Sequence, residues 1–177
     1  MSESERFFEM AHQDEQSPPE ILKRLTDSLR PWTDYNRPTR CRAVIFDPSG
    51  SSILGIQRIR PNRDPYVVYP GGGLEIDDLN PVNGIWRELD EELGLGKDTI
   101  TLSEKVIIND DEMFFVGYTK TDQLGDISIG GPEAERDVSV SGTYSPGWFL
   151  IDSLSQSRAF PEEITELIVA QHNNETD

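Results

Sequence analysis

Gly71-Gly72-Gly73-Leu74-Glu75-Ile76-Asp77-Asp78-Leu79-Asn80-Pro81-Val82-Asn83-Gly84-Ile85-Trp86-Arg87-Glu88-Leu89-Asp90-Glu91-Glu92-Leu93-Gly94-Leu95 is the stretch on which the rest of the chain turns. It reads as a glycine loop running into a helix. Asn80 is a good N-cap, Pro81 suits the first helical position and Gly94 suits the position just past the end. At about 100° per residue, Glu92 lies about 40° to one side of Glu88 and Glu91 about 60° to the other. The apolar set Val82, Ile85, Trp86, Leu89 and Leu93 forms the neighbouring stripe, the face that must pack on a sheet. Three carboxylates thus share one helix edge near the negative pole of the helix dipole. Like charges at i,i+4 and their place in the last turns each cost a few tenths of a kcal/mol. A hard divalent cation removes both costs, and carboxylate oxygen suits Mg²⁺ or Mn²⁺. The glycines leave backbone groups accessible beside it, with Gly72 the backbone position assigned to the ion. The bland alternative is a solvated acidic face, and for the glutamates alone it is the better reading. The adjoining glycine loop and Arg87 reverse that preference.

Working outward, the 177 residues suit one domain with an appendage. There are 33 acidic and 16 basic residues, net −17, and four of the basic residues are lysines. A field of that sign disfavours nucleic acid and anionic membranes as partners. We read the charge as adaptation to a salt-rich, halophilic cytoplasm, where screening relieves self-repulsion. The single cysteine, Cys41, permits neither an intramolecular disulfide nor a cysteine-based zinc site, and it reads as a packed thiol. The first residues lack the apolar core of a signal peptide, and no apolar run approaches membrane-spanning length. A cytoplasmic location is the expectation.

Residues 1–37 read as an N-terminal extension, loose at first and then helical over about 19–29, with Ile21, Leu22, Leu25 and Leu29 on one docking face. Residues 38–177 form the main domain. Strands are expected at 41–46, 53–59, 66–69, 99–108, 113–119 and 148–151, and a terminal helix opens at Pro161. Residues 120–142 read as a long functional or mobile loop. Mixed strands around one central helix make an α/β sandwich on a mixed sheet. Arg58, Arg60 and Arg63 precede the glycine loop and can meet substrate phosphates; a solvated, salt-bridged role is an equal reading for each alone, and three in six residues of so acidic a chain favour function. Tyr69 and Trp148 can stack on a base, although core packing is the preferred role for Trp148.

The second half of the opening stretch, Arg87-Glu88-Leu89-Asp90-Glu91-Glu92-Leu93-Gly94-Leu95, resembles the Nudix box position by position. That family pattern is Gly, five residues, Glu, seven residues, then Arg-Glu-U-x-Glu-Glu-x-Gly-U, with U a bulky aliphatic. The first half departs from it. After Gly72 and five intervening residues stands Asp78 in place of glutamate, and Leu79 looks like an insertion before Arg87. The resemblance extends more loosely from Arg40 to Ile168. It implies an α/β/α sandwich and a Mg²⁺-dependent hydrolase, with Mn²⁺ as a substitute ion, that cleaves a diphosphate linkage in a small nucleotide. On it, Glu88, Glu91 and Glu92 bind metal, Arg87 orients them, and the replaced glutamate helps hold the loop to the helix. Glu133, after Gly130-Gly131-Pro132, is the assigned general base, with an acidic solvated loop as its equal alternative. A proline about fifteen residues past the box marks ADP-ribose types, and none occurs between Leu95 and Pro132. A nucleoside triphosphatase is the default by elimination. The rival is a catalytically silent nucleotide- or protein-binding module, and a homo-oligomer is compatible with the helix near residue 25.

The reading of the charge has a direct test in a thermal-melt series from low to molar salt. The melting temperature should climb steeply with salt. High stability in the absence of salt would contradict it.

Overall fold

The computed structural model describes residues 17–120 and 142–174. Helix α1 (Glu20–Asp27) leads through a two-residue strand β1 (Arg30–Pro31) into β2 (Arg40–Phe46) and β3 (Ser52–Ile59). Short strands β4 (Tyr66–Val68) and β5 (Gly71–Gly73) precede α2 (Pro81–Leu93). The long hairpin β6 (Ile100–Asn109) and β7 (Glu112–Thr119), then β8 (Thr143–Leu150), β9 (Ala159–Phe160) and α3 (Glu162–Asn173) complete the order.

One nine-stranded sheet runs β1-β6-β7-β2-β3-β4-β9, with β5 paired to β2 and β8 paired to β3. It is mixed because β2 lies parallel to β7 and β4 parallel to β9. The centre is covered on both faces, and β2 shows how. Cys41, Ala43 and Ile45 join Ile85, Leu89 and Leu93 of α2 in one cluster, while Val44 and Phe46 join α1 and α3 in the other. This is the period of two expected of a strand buried on both sides. The expected α/β/α sandwich is therefore what forms.

The N-terminal segment is stitched into that core. Ile21, Leu22 and Leu25 pack with Val44, Phe114, Ile164 and Ile168, and β1 pairs with β6. Its helix is shorter than its apolar pattern suggests. The Thr26 and Ser28 hydroxyls donate to the carbonyls of Leu22 and Leu25, bonds that compete with helix propagation. Cys41 is fully buried, and burial pushes its thiol up to about 12, in keeping with a packing role. Three strands were not legible. β5 is built of three glycines, and β1 and β9 are each two residues long. The last long strand begins at Thr143, five positions before the expected start. Among the described residues, no helix is long and apolar enough to cross a membrane.

Candidate functional site

The site is assembled where β5 meets α2. The Asn80 side chain accepts from the Asn83 N–H at 2.8 Å, Pro81 opens the helix, and Gly94 ends it in the left-handed region at φ 64°. Those local signals set the helix phase that brings Glu88 and Glu92 onto β5. Gly71 pairs with Arg42 of β2, and a Cβ there would lie 2.1 Å from the Cys41 carbonyl oxygen at a φ of +135°. Only glycine fits. The freed Gly71 N–H donates to Glu92 Oε2 at 3.0 Å. One residue on, a Cβ on Gly72 would come within 2.7 Å of Glu88 Oε1. The glycine strand is thus a cradle for two carboxylates four residues apart on α2.

Arg87 ties the loop to this helix. Its Nε and Nη2 donate to the two oxygens of Asp78 at 2.7 and 2.9 Å, a bidentate pair. Nη2 also reaches the Gly73 carbonyl at 3.0 Å, and Nη1 donates to Glu88 at 3.0 Å and Glu91 at 3.1 Å. Asp78 is only 5% exposed, and its Oδ2 accepts the Glu75 N–H at 2.7 Å. The Arg87 guanidinium, with that backbone bond, holds the Asp78 carboxyl below its ordinary 3.8. Reciprocally, Asp78 and Glu88 raise Arg87.

The departures at residues 78 and 79 fit this geometry. A 3-10 turn over Ile76–Asp78 carries the shorter carboxylate inward, and the inserted Leu79 is thrown outward at φ 65°, 78% exposed. A non-glycine residue in that conformation costs about 1–3 kcal/mol and is kept where its surroundings over-determine it. Arg37 supplies part of that constraint, donating to the Glu75 carbonyl at 2.6 Å and the Leu79 carbonyl at 3.5 Å. In the sequence, Arg37 is read only as the last residue of the N-terminal extension. Its sole signal was a basic residue just ahead of β2, which nothing local connects to a loop some forty residues later.

Glu88, Glu91, Glu92, Arg87 and Gly72 therefore come together. Among the described residues no three acidic or histidine side chains converge as a finished metal cage. Arg87 engages Glu88 and Glu91, and the Gly71 amide engages Glu92. The donor set nonetheless fits a hard divalent ion: carboxylate oxygens beside backbone carbonyls, with no side chain on Gly72 to fill the space. Arg58, on the same face, donates to the Tyr144 hydroxyl, and its guanidinium lies 4.1 Å from the centre of that ring and 5.8 Å from that of Tyr66. Among the described residues no carboxylate pairs with Arg60, and its Nε is buried without a hydrogen-bond partner. Arg63 is exposed. Glu133 lies outside the described residues.

Tyr69 is a correction. It is 1% exposed, its ring packs edge-on to Phe114, and its hydroxyl bonds Thr165 Oγ1 at 2.7 Å, so no base can stack on it. Position 69 falls on the α1/α3 face of the strand, opposite the site. Trp148 packs, half-buried, against the α2-side cluster, as preferred.

A NUDIX domain model matches residues 36–168, and the chain belongs to that family of hydrolases. Solved structures share the fold. One comes from work on MutT of the fish pathogen Aliivibrio salmonicida and of Vibrio cholerae. It is 23% identical, with a TM-score of 0.50, over 77% of this chain and 99% of that one. A C. elegans Ap4A hydrolase is 13% identical with a TM-score of 0.51, over 73% and 92%. The M. smegmatis Nudix hydrolase RenU is also 13% identical with a TM-score of 0.51, over 84% and 94%. Among curated proteins none matches the sequence.

The Asp78–Arg87 pair makes a pH prediction. The folded value of Asp78 lies below its unfolded 3.8, so its stabilisation is present above that pH and is lost as pH falls through the lowered value. Urea unfolding below about pH 4 should lose stability more steeply for the wild type than for Asp78→Asn. Parallel curves would contradict the assignment.

Proposed function

We propose that this chain hydrolyses a diphosphate linkage in a nucleoside triphosphate or a nucleoside diphosphate derivative, with Mg²⁺ as cofactor and Mn²⁺ as a substitute. The observation that carries this reading is the seating of Glu88 and Glu92 on a glycine strand, with Arg87 tying Glu88 to the loop and the Gly71 amide holding Glu92. In the reading, Glu88, Glu91, Glu92 and the Gly72 carbonyl hold the ion. When bound, such an ion neutralises charge on phosphate oxygens and helps align water with the phosphorus.

The protein's own share is positioning. Arg87 holds Asp78, Glu88 and Glu91 against mutual repulsion, so that oxygen donors stand ready on one side of β5. Arg58, Arg60 and Arg63 lie on β3 or just beyond it, and they neutralise the phosphates of the incoming nucleotide. Glu133 is assigned to take the proton from the attacking water as the P–O bond to the leaving group breaks. One water is consumed, and the two phosphorylated halves leave. A small-molecule nucleotide of the cytoplasm is the partner class, in keeping with an acidic surface that repels polyanions.

Phosphate release from a nucleotide panel, measured with Mg²⁺ and Mn²⁺ in high salt, tests this. Glu92→Gln should lower the rate by about 100-fold or more, equivalent to ~2.7 kcal/mol of barrier. Equal, background-level release from both proteins would refute the hydrolase and favour a silent binding module.

A further inference from the structure

The residue inserted at position 79 is absorbed by a strained turn that its own loop does little to hold. The Asn80 N–H donates to the Asp78 carbonyl at 2.7 Å, which makes Leu79 the centre of a three-residue turn at φ 65° and ψ −42°. This is the γ-turn of positive φ, the rare and strained form. Burial does not secure it, since Ile76 is 90% exposed and Leu79 78%.

Two contacts from outside the loop do secure it. On the inner side, Leu74 and Asp78 press against Gly84 of α2, where a Cβ would come within 2.1 Å of Leu74 Cδ2 and 3.2 Å of Asp78 Oδ2. A glycine inside a helix weakens it, and here it makes room for the loop. On the outer side stands Arg37. Its Nη2 donates to the Glu75 carbonyl at 2.6 Å and its Nη1 to the Leu79 carbonyl at 3.5 Å, so one planar fork spans both ends of the 3-10 turn.

The base of that fork is itself fixed. Pro38 is buried, and the Thr39 N–H and hydroxyl donate to the carbonyl and Oδ2 of Asp111 at 3.0 and 2.6 Å. The Thr39 carbonyl accepts the Leu74 N–H at 2.9 Å. Residues 37–39 thus stitch the loop to the turn between β6 and β7. The partners of Arg37 are also unusual. In a chain with 33 acidic and 16 basic residues, no carboxylate pairs with it among the described residues. A guanidinium that donates to carbonyls instead fixes the shape of the backbone. The backbone so fixed carries Asp78, which takes Arg87, and Arg87 in turn holds Glu88 and Glu91.

We propose that Arg37 is a positioning residue for the ion-binding carboxylates, one that the inserted Leu79 makes necessary. It acts through Asp78 and Arg87 and not on the substrate. The proposal rests on the hydrolase reading and adds to it a residue from outside the glycine loop and its helix.

Mn²⁺ binding, read by calorimetry in high salt well below the melting temperature, tests this without reference to turnover. Arg37→Ala should weaken Mn²⁺ by about fivefold, less than the loss of a group that touches the metal ligands. Arg37→Lys keeps the charge but cannot bridge two carbonyls as a fork, and its affinity should fall between the two. In a second background Leu79 is deleted and Asp78→Glu restores the spacing and carboxylate of the family pattern. There Arg37→Ala should change Mn²⁺ affinity by less than about twofold. If that background fails to fold, the order of wild type, Arg37→Lys and Arg37→Ala in the natural loop decides alone. On a hydrolysed nucleotide, Arg37→Ala should lower kcat by about fivefold and leave KM within about twofold, since no substrate contact is lost.

Wild-type Mn²⁺ affinity in Arg37→Ala, with only a lower melting temperature, would overturn the positioning role and leave a structural one. An equal loss in both backgrounds would overturn the link to Leu79, and a rise in KM alone would point to substrate contact instead. Absence of Mn²⁺ binding by the wild type would overturn the hydrolase reading and the positioning role together. Failure of Glu92→Gln to reduce phosphate release would overturn the hydrolase reading alone, because the Mn²⁺ affinities of the Arg37 variants do not depend on turnover.

Discussion

The bidentate pair between Arg87 and Asp78 is the interaction on which the site depends. It joins the middle of α2 to the end of the loop that precedes it, and the same guanidinium also holds Gly73, Glu88 and Glu91. A half-buried arginine with four acceptors and a nearly buried aspartate with two donors leave little unsatisfied. Removing one partner from such a pair typically costs about 3–5 kcal/mol, because the other charge is left desolvated and alone. The loop itself could not hold this shape. It contains an exposed leucine in a left-handed conformation, and its turn is a single revolution of 3-10 helix.

That pair also resolves the electrostatic oddity of α2. Its glutamates crowd a helix end that repels them, and without relief they would weaken the helix. One relief is internal. Arg87 sits among Glu88, Glu91 and Asp78, and the Gly71 amide caps Glu92. The carboxylates are thus held close without being fully neutralised, since one guanidinium stands against Asp78 and three glutamates. Residual negative charge beside a bare glycine strand is what a hard divalent ion requires, and it separates this arrangement from a solvated acidic surface.

Much of this was legible because the signals were local. The N-cap, the first-turn proline and the C-terminal glycine of α2 act within a few residues, and the helix phase then fixes which glutamates share an edge. The two-faced burial of β2 was likewise written in its apolar run. What escaped depended on distant contacts. The reach of Arg37 to residues 75 and 79 and the pairing of the glycines as a strand on β2 have no local signature. Tyr69 failed for a related reason. A tyrosine at a strand end offers the same residue type to either face, and only the register shows that it points toward Thr165. The insertion at Leu79 was visible as a departure. Its absorption by an outward bulge was not, since it depends on Asp78 finding Arg87 across the loop.

The central claim is that Asp78 and Arg87 act as one unit to set the carboxylates for the ion. Titrating Mn²⁺ into the wild type, Asp78→Asn, Arg87→Lys and the double variant measures this by a double-mutant cycle. Each single change should weaken Mn²⁺ binding by about tenfold, in the range seen when a group that orients metal ligands is lost. The double variant should then be no weaker than the worse of the two. Independent losses that multiply in the double variant, or wild-type affinity in all three variants, would contradict the account.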